Sequence, residues 1–451
     1  MIVLSVLLSS SAGALAGFAA GLVPGLHMNN FAAAIVAYAG VCSGATTLGV
    51  LSPPVLILPC FLCAALTAHM FASAVGSTYL GVPDGDAVSV LPAHRLARAG
   101  LGPIAVRASV DGTLTGVLVS SLVLLPVSVL LGDAVGGYGL IQSIMLPLVL
   151  GMSVLLIWSC VPAGASRCAR VMALILTLAV FSASGYLGLA VLQSFYSASP
   201  MPEVPWVDPG TLSRSALLLP LFAGLFGLPN LIMGLTSAPI VGLPRRDGPQ
   251  VSPVPRPADL GICLLAGAMV GWLPGMTSGT AAAALSPDDG ELGQGDGVER
   301  STRFIWKYAA ITSAGSVMSV GALLVISRAR SGTMDAVSLS LGVASGGASL
   351  LPIGCLLVSS MLLSAALCHW LMRALESRLA MDGARRMLSS RWTAGASIAF
   401  LCVLTFALTG LRGGLILSAA CLLGLLTVRA GVRRVCLMGC MLVPIAVIYM
   451  S

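Results

Sequence analysis

From end to end this chain is a succession of apolar runs about 20 residues long, the length an α-helix needs to cross a hydrocarbon core roughly 30 Å thick. The runs fall at 2–22, 29–49, 51–80, 105–131, 139–160, 171–196, 212–240, 258–285, 304–327, 335–350, 352–372, 392–409, 411–428 and 435–450, and they leave no room between them for a soluble domain. Charged residues make up 9% of the 451, against about 25% in a soluble protein. Lipid offers no partners to backbone polar groups, so the expected fold is an all-α polytopic membrane protein with about 11–14 transmembrane or re-entrant helices. The opening stretch MIVLSVLLSSSAGALAGFAAG has no basic residues ahead of its apolar run, so it reads as a retained first helix rather than a signal peptide.

A net charge of +7 first suggests nucleic acid as a partner. The chain has a single lysine, Lys307, however, and its arginines fall in short connectors between apolar runs. Their placement is topological. If the spans alternate, Arg95, Arg98, Arg107, Arg167, Arg170, Arg429, Arg433 and Arg434 share one side with most other arginines, while Glu203, Asp208, Asp288, Asp289, Glu291, Asp296 and Glu299 lie opposite. The positive-inside rule assigns the arginine side to the cytoplasm, which predicts a multi-pass protein of the cell membrane and no nucleic-acid role.

Two places break the apolar pattern. GLVPGLHMNN at 21–30 and GWLPGMTSGT at 271–280 put Pro-Gly pairs and polar residues inside spans. An offset of 250 residues superimposes Gly17 on Gly267, Gly21 on Gly271, Pro24 on Pro274, Gly25 on Gly275, and Ala32, Ala33 and Ala34 on Ala282, Ala283 and Ala284. The sequence therefore predicts a duplication into inverted membrane repeats at 1–240 and 258–451, joined by a Pro-rich cytoplasmic linker at 241–257.

Proline removes a backbone donor and glycine permits sharp turns, so each pair should end its helix within the span. Such a break survives only where it is buried in protein or lines a water-filled cavity. Matched breaks in duplicated halves point to a transport site, built from Gly21, Pro24, Gly25, His27, Asn29 and Asn30 in the first half and Gly271, Pro274, Gly275, Thr277, Ser278 and Thr280 in the second. A half-helix starting after each pair would turn its free N–H groups and positive dipole end toward a carboxylate or phosphate. Carbonyls freed before the break suit Na⁺ as coupling ion, and His27 suits H⁺. Plain helix packing through Gly-x3-Gly is the competing reading, but it leaves the matched hydroxyl and amide clusters unexplained.

Other polar residues receive smaller roles. Asn230, beside Pro229, marks a further break and a candidate cavity wall. Asp111, four residues after Arg107, is expected to pair with it on one helix face. Asp259 and Asp335 fall at helix entrances, where they would cap. The twelve cysteines are scattered through apolar segments, and the CxxC of Cys60 and Cys63 has no companion pair, so they are read as packing groups with no metal site. With four histidines and no H-E-x-x-H, G-x-S-x-G or P-loop, the chain is not expected to be an enzyme or to hold a cofactor.

The frame G-x3-G-x2-PG at 17–25, followed by STYLGVPDGDAVSVLPAHRLARAG at 77–100, resembles the large membrane subunit of the tripartite tricarboxylate transporters, TctA. LPLFAGLFGLPNLI at 219–232, GWLPGMTSGT at 271–280 and VRRVCLMGCMLVP at 432–444 resemble its divergent archaeal-type branch. The resemblance implies a permease for a small organic anion of the carboxylate class, working by ion-coupled transport with a small membrane subunit and an extracytoplasmic solute-binding protein. It carries Gly21, Pro24, Gly25, Gly271, Pro274 and Gly275 over as the frame of the site. Beyond the solute, membrane lipid and those subunits, a homo-oligomer is also compatible with the chain. PGMTSGT is similar as well to a motif of polyprenyl-phosphate translocases, which makes a lipid-linked phosphate the alternative cargo. A membrane scaffold without transport is the third reading.

Overall fold

The computed structural model describes residues 2–23, 26–29, 31–32, 34–36, 53–80, 90–132, 135–162, 166–196, 217–236, 256–273, 276–285, 297–341, 350–379 and 391–450. Among these every regular element is a helix. Seven helices are long and apolar enough to cross a membrane, and a bent pair supplies an eighth span if it counts as one. Four shorter apolar helices accompany them among the described residues.

In chain order the elements are α1 (Ile2–Gly21), α2 (Pro53–Leu80), α3 (Val90–Arg98), α4 (Gly102–Leu131), α5 (Gly137–Ser143), α6 (Met145–Ser159), α7 (Arg167–Tyr196), α8 (Leu218–Phe222), α9 (Leu228–Thr236), α10 (Pro257–Trp272), α11 (Ser278–Leu285), α12 (Val298–Ile326), α13 (Gly332–Leu341), α14 (Leu350–Leu379), α15 (Arg391–Arg429) and α16 (Gly439–Met450). Two apolar runs depart from single spans. The run at 139–160 is divided into α5 and α6, bent by 61°. The run at 258–285 is divided into α10 and α11. In the run at 212–240, Pro229 does not break the helix. Its missing N–H and bulky ring are absorbed by a π-helical turn at Ala223–Gly227, which joins α8 to α9. Conversely, the two runs 392–409 and 411–428 are continuous in hydrogen bonding but separated at Gly410, whose φ of 60° and ψ of −152° only glycine adopts readily.

Small residues set the packing, as expected where lipid removes any hydrophobic drive between helices. A Cβ on Gly13, Gly17 or Gly21 of α1 would collide with the backbone of Phe61, Ala65 or His69 of α2, respectively. Both series rise together, so α1 and α2 run parallel. The same holds for α10 and α12, where Gly267 meets Ala314 and Gly271 meets Met318.

The two groups interlock. Gly112 and Gly116 of α4 lie on Trp306 and Ala310 of α12, again in parallel. Ser364 of α14 donates to the Ala64 carbonyl of α2 at 2.7 Å, and Ser10 of α1 donates to Ser360 Oγ at 2.8 Å. Helix α4 starts where α2 ends, with Gly102 against Tyr79, and returns alongside it. Consequently α12, which follows α4, runs opposite to α2. A further bundle of α6, α7, α15 and α16 closes through Gly188 on Cys440 and Gly185 on Val443, while Gly224 and Gly424 seat the π turn against α15.

Candidate functional site: two broken helices beside a helix crossing

Helix α1 ends at Gly21, and helical backbone resumes at Met28; α10 ends at Trp272, and α11 begins at Ser278. The Pro-Gly pairs between them, Pro24–Gly25 and Pro274–Gly275, lie outside the described residues, as does Asn30. The flanking residues define both breaks. Each lies beside the middle of its parallel partner, since α2 continues 11 residues past His69, about 16 Å, and α12 continues 8 past Met318, about 12 Å. The breaks are thus inside the bundle rather than in loops at its ends. Ser316 Oγ donates to Met70 Sδ at 3.4 Å where α12 meets α2. That contact is one residue from His69 and two from Met318, so the two breaks flank the place where the halves touch.

The half-helices begin alike. Phe31 N–H donates to the His27 carbonyl at 3.2 Å, and Ala281 N–H donates to the Thr277 carbonyl at 2.9 Å. These are the first intrahelical bonds, at positions 250 residues apart in the sequence, which makes His27 and Thr277 the two N-cap residues. At the first break the cap is completed by a ring: His27 Nδ1 accepts from Asn29 N–H at 3.1 Å. The nitrogen that accepts in this bond carries no proton of its own. One backbone donor that an anion would have used is therefore already occupied.

Asn29 is also committed. Its Oδ1 accepts from Thr333 N–H at 3.1 Å and from Thr333 Oγ1 at 3.0 Å. A backbone N–H can only donate, so the contacting atom is oxygen and Nδ2 is the remaining donor. With Ser331, whose hydroxyl accepts from Met334 N–H at 3.2 Å, Asn29 caps the start of α13. The expectation that Asp335 fills this role gives way to those two side chains. At the second break Ser278 is 8% exposed and Met276 is buried beside it. Thr280 lies within α11, its side chain outside what is described.

His69, one of the four histidines of the sequence, also lies at the first break. It is 1% exposed, and its Nε2 donates to the Leu26 carbonyl at 2.7 Å. Its own backbone packs on Gly21, so one residue holds the chain on both sides of the first break. The signal was present, since an ionisable residue in the middle of an apolar span is a functional candidate by default. The carbonyls on offer to a cation at this break are fewer than expected, because Val23 N–H takes the Ala20 carbonyl and Leu26 N–H takes that of Val23.

Neither 21–36 nor 271–285 contains an acidic side chain. Elsewhere, Asp111 pairs across helices, with Arg373 at 3.0 Å and His369 at 3.3 Å, rather than only along its own turn. Asp259 is buried, accepts from Arg256 N–H at 3.1 Å as a cap, and pairs with Arg303 at 2.7 Å and Lys307 at 3.0 Å. Asn230 follows the packed π turn, its side chain outside what is described. Cys60 and Cys63 are both fully buried among the α1–α2 contacts.

Comparison with curated proteins and with solved structures found no match. The family comparison is decisive: the model of the tripartite tricarboxylate transporter TctA family matches residues 7–439, and this multi-pass membrane protein belongs to that transporter family.

Proposed function

We propose that this chain is the translocating subunit of a tripartite uptake system in the cell membrane and carries a small organic anion of the carboxylate class by alternating access. The observation that carries the reading is the matched pair of N-caps, His27 and Thr277, beside the contact of α2 with α12. The opposed directions of α2 and α12, and the same glycine packing of α1 on α2 and of α10 on α12, support an inverted duplication with halves near 1–240 and 258–451. Discontinuous helices at the interface of inverted repeats are where secondary transporters bind their cargo.

On this reading the anion lies between the half-helix N-termini, where Asn29 Nδ2, Asn30, Thr277, Ser278 and Thr280 supply neutral donors around Gly21, Pro24, Gly25, Gly271, Pro274 and Gly275. The two halves rock about the α2–α12 contact, with Na⁺ or H⁺ as coupling ion. A solute-binding protein delivers the anion, and a small membrane subunit completes the assembly.

Thermal unfolding of the purified protein tests this, because a ligand that binds only the folded state raises its apparent stability. Di- and tricarboxylates, inorganic phosphate and a short-chain polyprenyl phosphate are compared, with and without Na⁺. A carboxylate shift that is lost in Asn30→Leu and Thr280→Val is expected. A shift with the polyprenyl phosphate alone would make the cargo a lipid, and unchanged carboxylate binding in both variants would remove the site.

A further inference from the structure

The bundle of α6, α7, α15 and α16 holds an unusual charge distribution. No acidic residue occurs in 145–162, 166–196 or 391–450, yet arginines gather at one end: Arg167 and Arg170 open α7, Arg429 closes α15, and Arg433 and Arg434 lead into α16. Arg167, Arg170, Arg429 and Arg433 are all exposed. A cavity of about 400 Å³ opens at Arg433. Arg433 and Thr177 are its polar lining, and Met172, Ala173, Leu176 and Val432 are its apolar wall. Ala169 and Ala430 also line it, and their chain neighbours are the exposed Arg170 and Arg429.

The cavity has depth as well as charge. Its lining on α7 runs from Ala169 to Thr177, about 12 Å along the axis. Beyond the cavity the outer face of α7 exposes Val171, Ile175 and Leu178. Guanidinium groups match the geometry of phosphate oxygens, and an apolar wall descending from them matches a hydrocarbon chain. A soluble anion would engage the mouth and leave the wall bare.

We propose that this cavity binds one anionic phospholipid, its phosphodiester held by Arg433 with Arg170 and Arg429 and one acyl chain laid along Met172, Ala173 and Leu176. The site is separate from the broken helices and does not depend on what they transport. It would let the charge of the surrounding membrane act on the junction of α6, α7 and α16.

The test is thermal unfolding of the full chain in a neutral detergent, titrated with phosphatidylglycerol, phosphatidylcholine or inorganic phosphate. Phosphatidylglycerol should raise the midpoint saturably, and the other two should not. Arg433→Gln should weaken the apparent affinity about fivefold, and Arg433→Gln with Arg429→Gln about 25-fold, at the strength usual for an arginine near an anionic membrane surface. Ala173→Trp, which fills the cavity without touching charge, should remove the shift, whereas Arg95→Gln on the distant α3 should not change it. An equal shift from inorganic phosphate would assign the mouth to a soluble anion, and an equal shift from phosphatidylcholine would reduce the effect to general solvation. Either result overturns the proposal. Because Ala173→Trp can disturb packing, the exposed arginine variants decide: phosphatidylglycerol affinity unchanged in both would place the lipid elsewhere and refute this site.

Discussion

Replacing His69 with methionine, the residue that faces Gly271 from the corresponding place on α12, should separate the polar from the steric role of this position. The substitution keeps an unbranched apolar side chain in the bundle and leaves the backbone packing of Gly21 on residue 69 intact. It removes the donor that meets the Leu26 carbonyl at 2.7 Å. An acceptor stranded in a protein interior costs about 1–3 kcal/mol, while interhelical hydrogen bonds measured in membranes average about 0.6 and reach about 1.7 kcal/mol. With both partners buried, the upper part of the membrane range applies, about 1–1.5 kcal/mol, which is roughly a fivefold to tenfold change in an equilibrium constant. If His69 holds the first half-helix in its binding geometry, KM for uptake in reconstituted vesicles should rise by about that factor and ligand-induced stabilisation should weaken in step. His69→Gln, which keeps a donor of similar reach, should recover most of the loss. Wild-type KM and stability in His69→Met would refute the reasoning, and a glutamine variant as poor as the methionine one would show that ring shape, not donation, is what matters.

Three further perturbations follow from contacts elsewhere. Asn29→Ala should uncap α13 at a cost of about 1 kcal/mol, seen as a lower unfolding midpoint, and a midpoint equal to wild type would mean Ser331 alone suffices. Asp259→Asn removes the carboxylate that Arg303 and Lys307 share; the cost should be about 3 kcal/mol, at the low end for a broken buried pair because Arg303 keeps contact with solvent. The double variant Asp259→Asn with Lys307→Met should be less damaging than the single one, and additive losses would contradict an ion pair. Gly410→Ala must hold φ near 60° with ψ near −152°, a region essentially closed to other residues, and should destabilise by about 1–3 kcal/mol; an unchanged midpoint would mean the helix straightens there at no cost.

The helices were legible because lipid leaves few alternatives: an apolar run of sufficient length has no other stable form. Even the division of 391–429 at Gly410 follows from glycine within an apolar stretch. What the sequence could not supply was partnership between distant segments. His27, Asn29 and Thr277 were identifiable as polar groups in the wrong solvent, but not as caps, because a cap is defined by where the next helix begins. Asn29 meets Thr333 across 304 residues and His69 meets Leu26 across 43; neither separation has a periodic signature. Asp111 shows the same limit. The spacing rule points to its near neighbour Arg107 and gives no sign that α14 brings Arg373 and His369 to it. The π turn at 223–227 was hidden because a proline in an apolar run predicts a kink without saying whether packing, here Gly424 against Leu225 and Pro229, will absorb it.

The two breaks share their first helical bond. The first has three polar ties: His27 on Asn29, Asn29 on Thr333 and His69 on Leu26. At the second, the residue facing Gly271 is Met318, which packs but cannot donate. Where Asp259 anchors α10 to α12 through a buried ion pair, the position 250 residues earlier is Ser9, which bonds only to the Val6 carbonyl of its own helix. If the halves exchange inward and outward states as inverted repeats do, they move about these contacts. Asn29, the tie that joins the first break to α13 of the other half, is the bond this motion must strain or carry along.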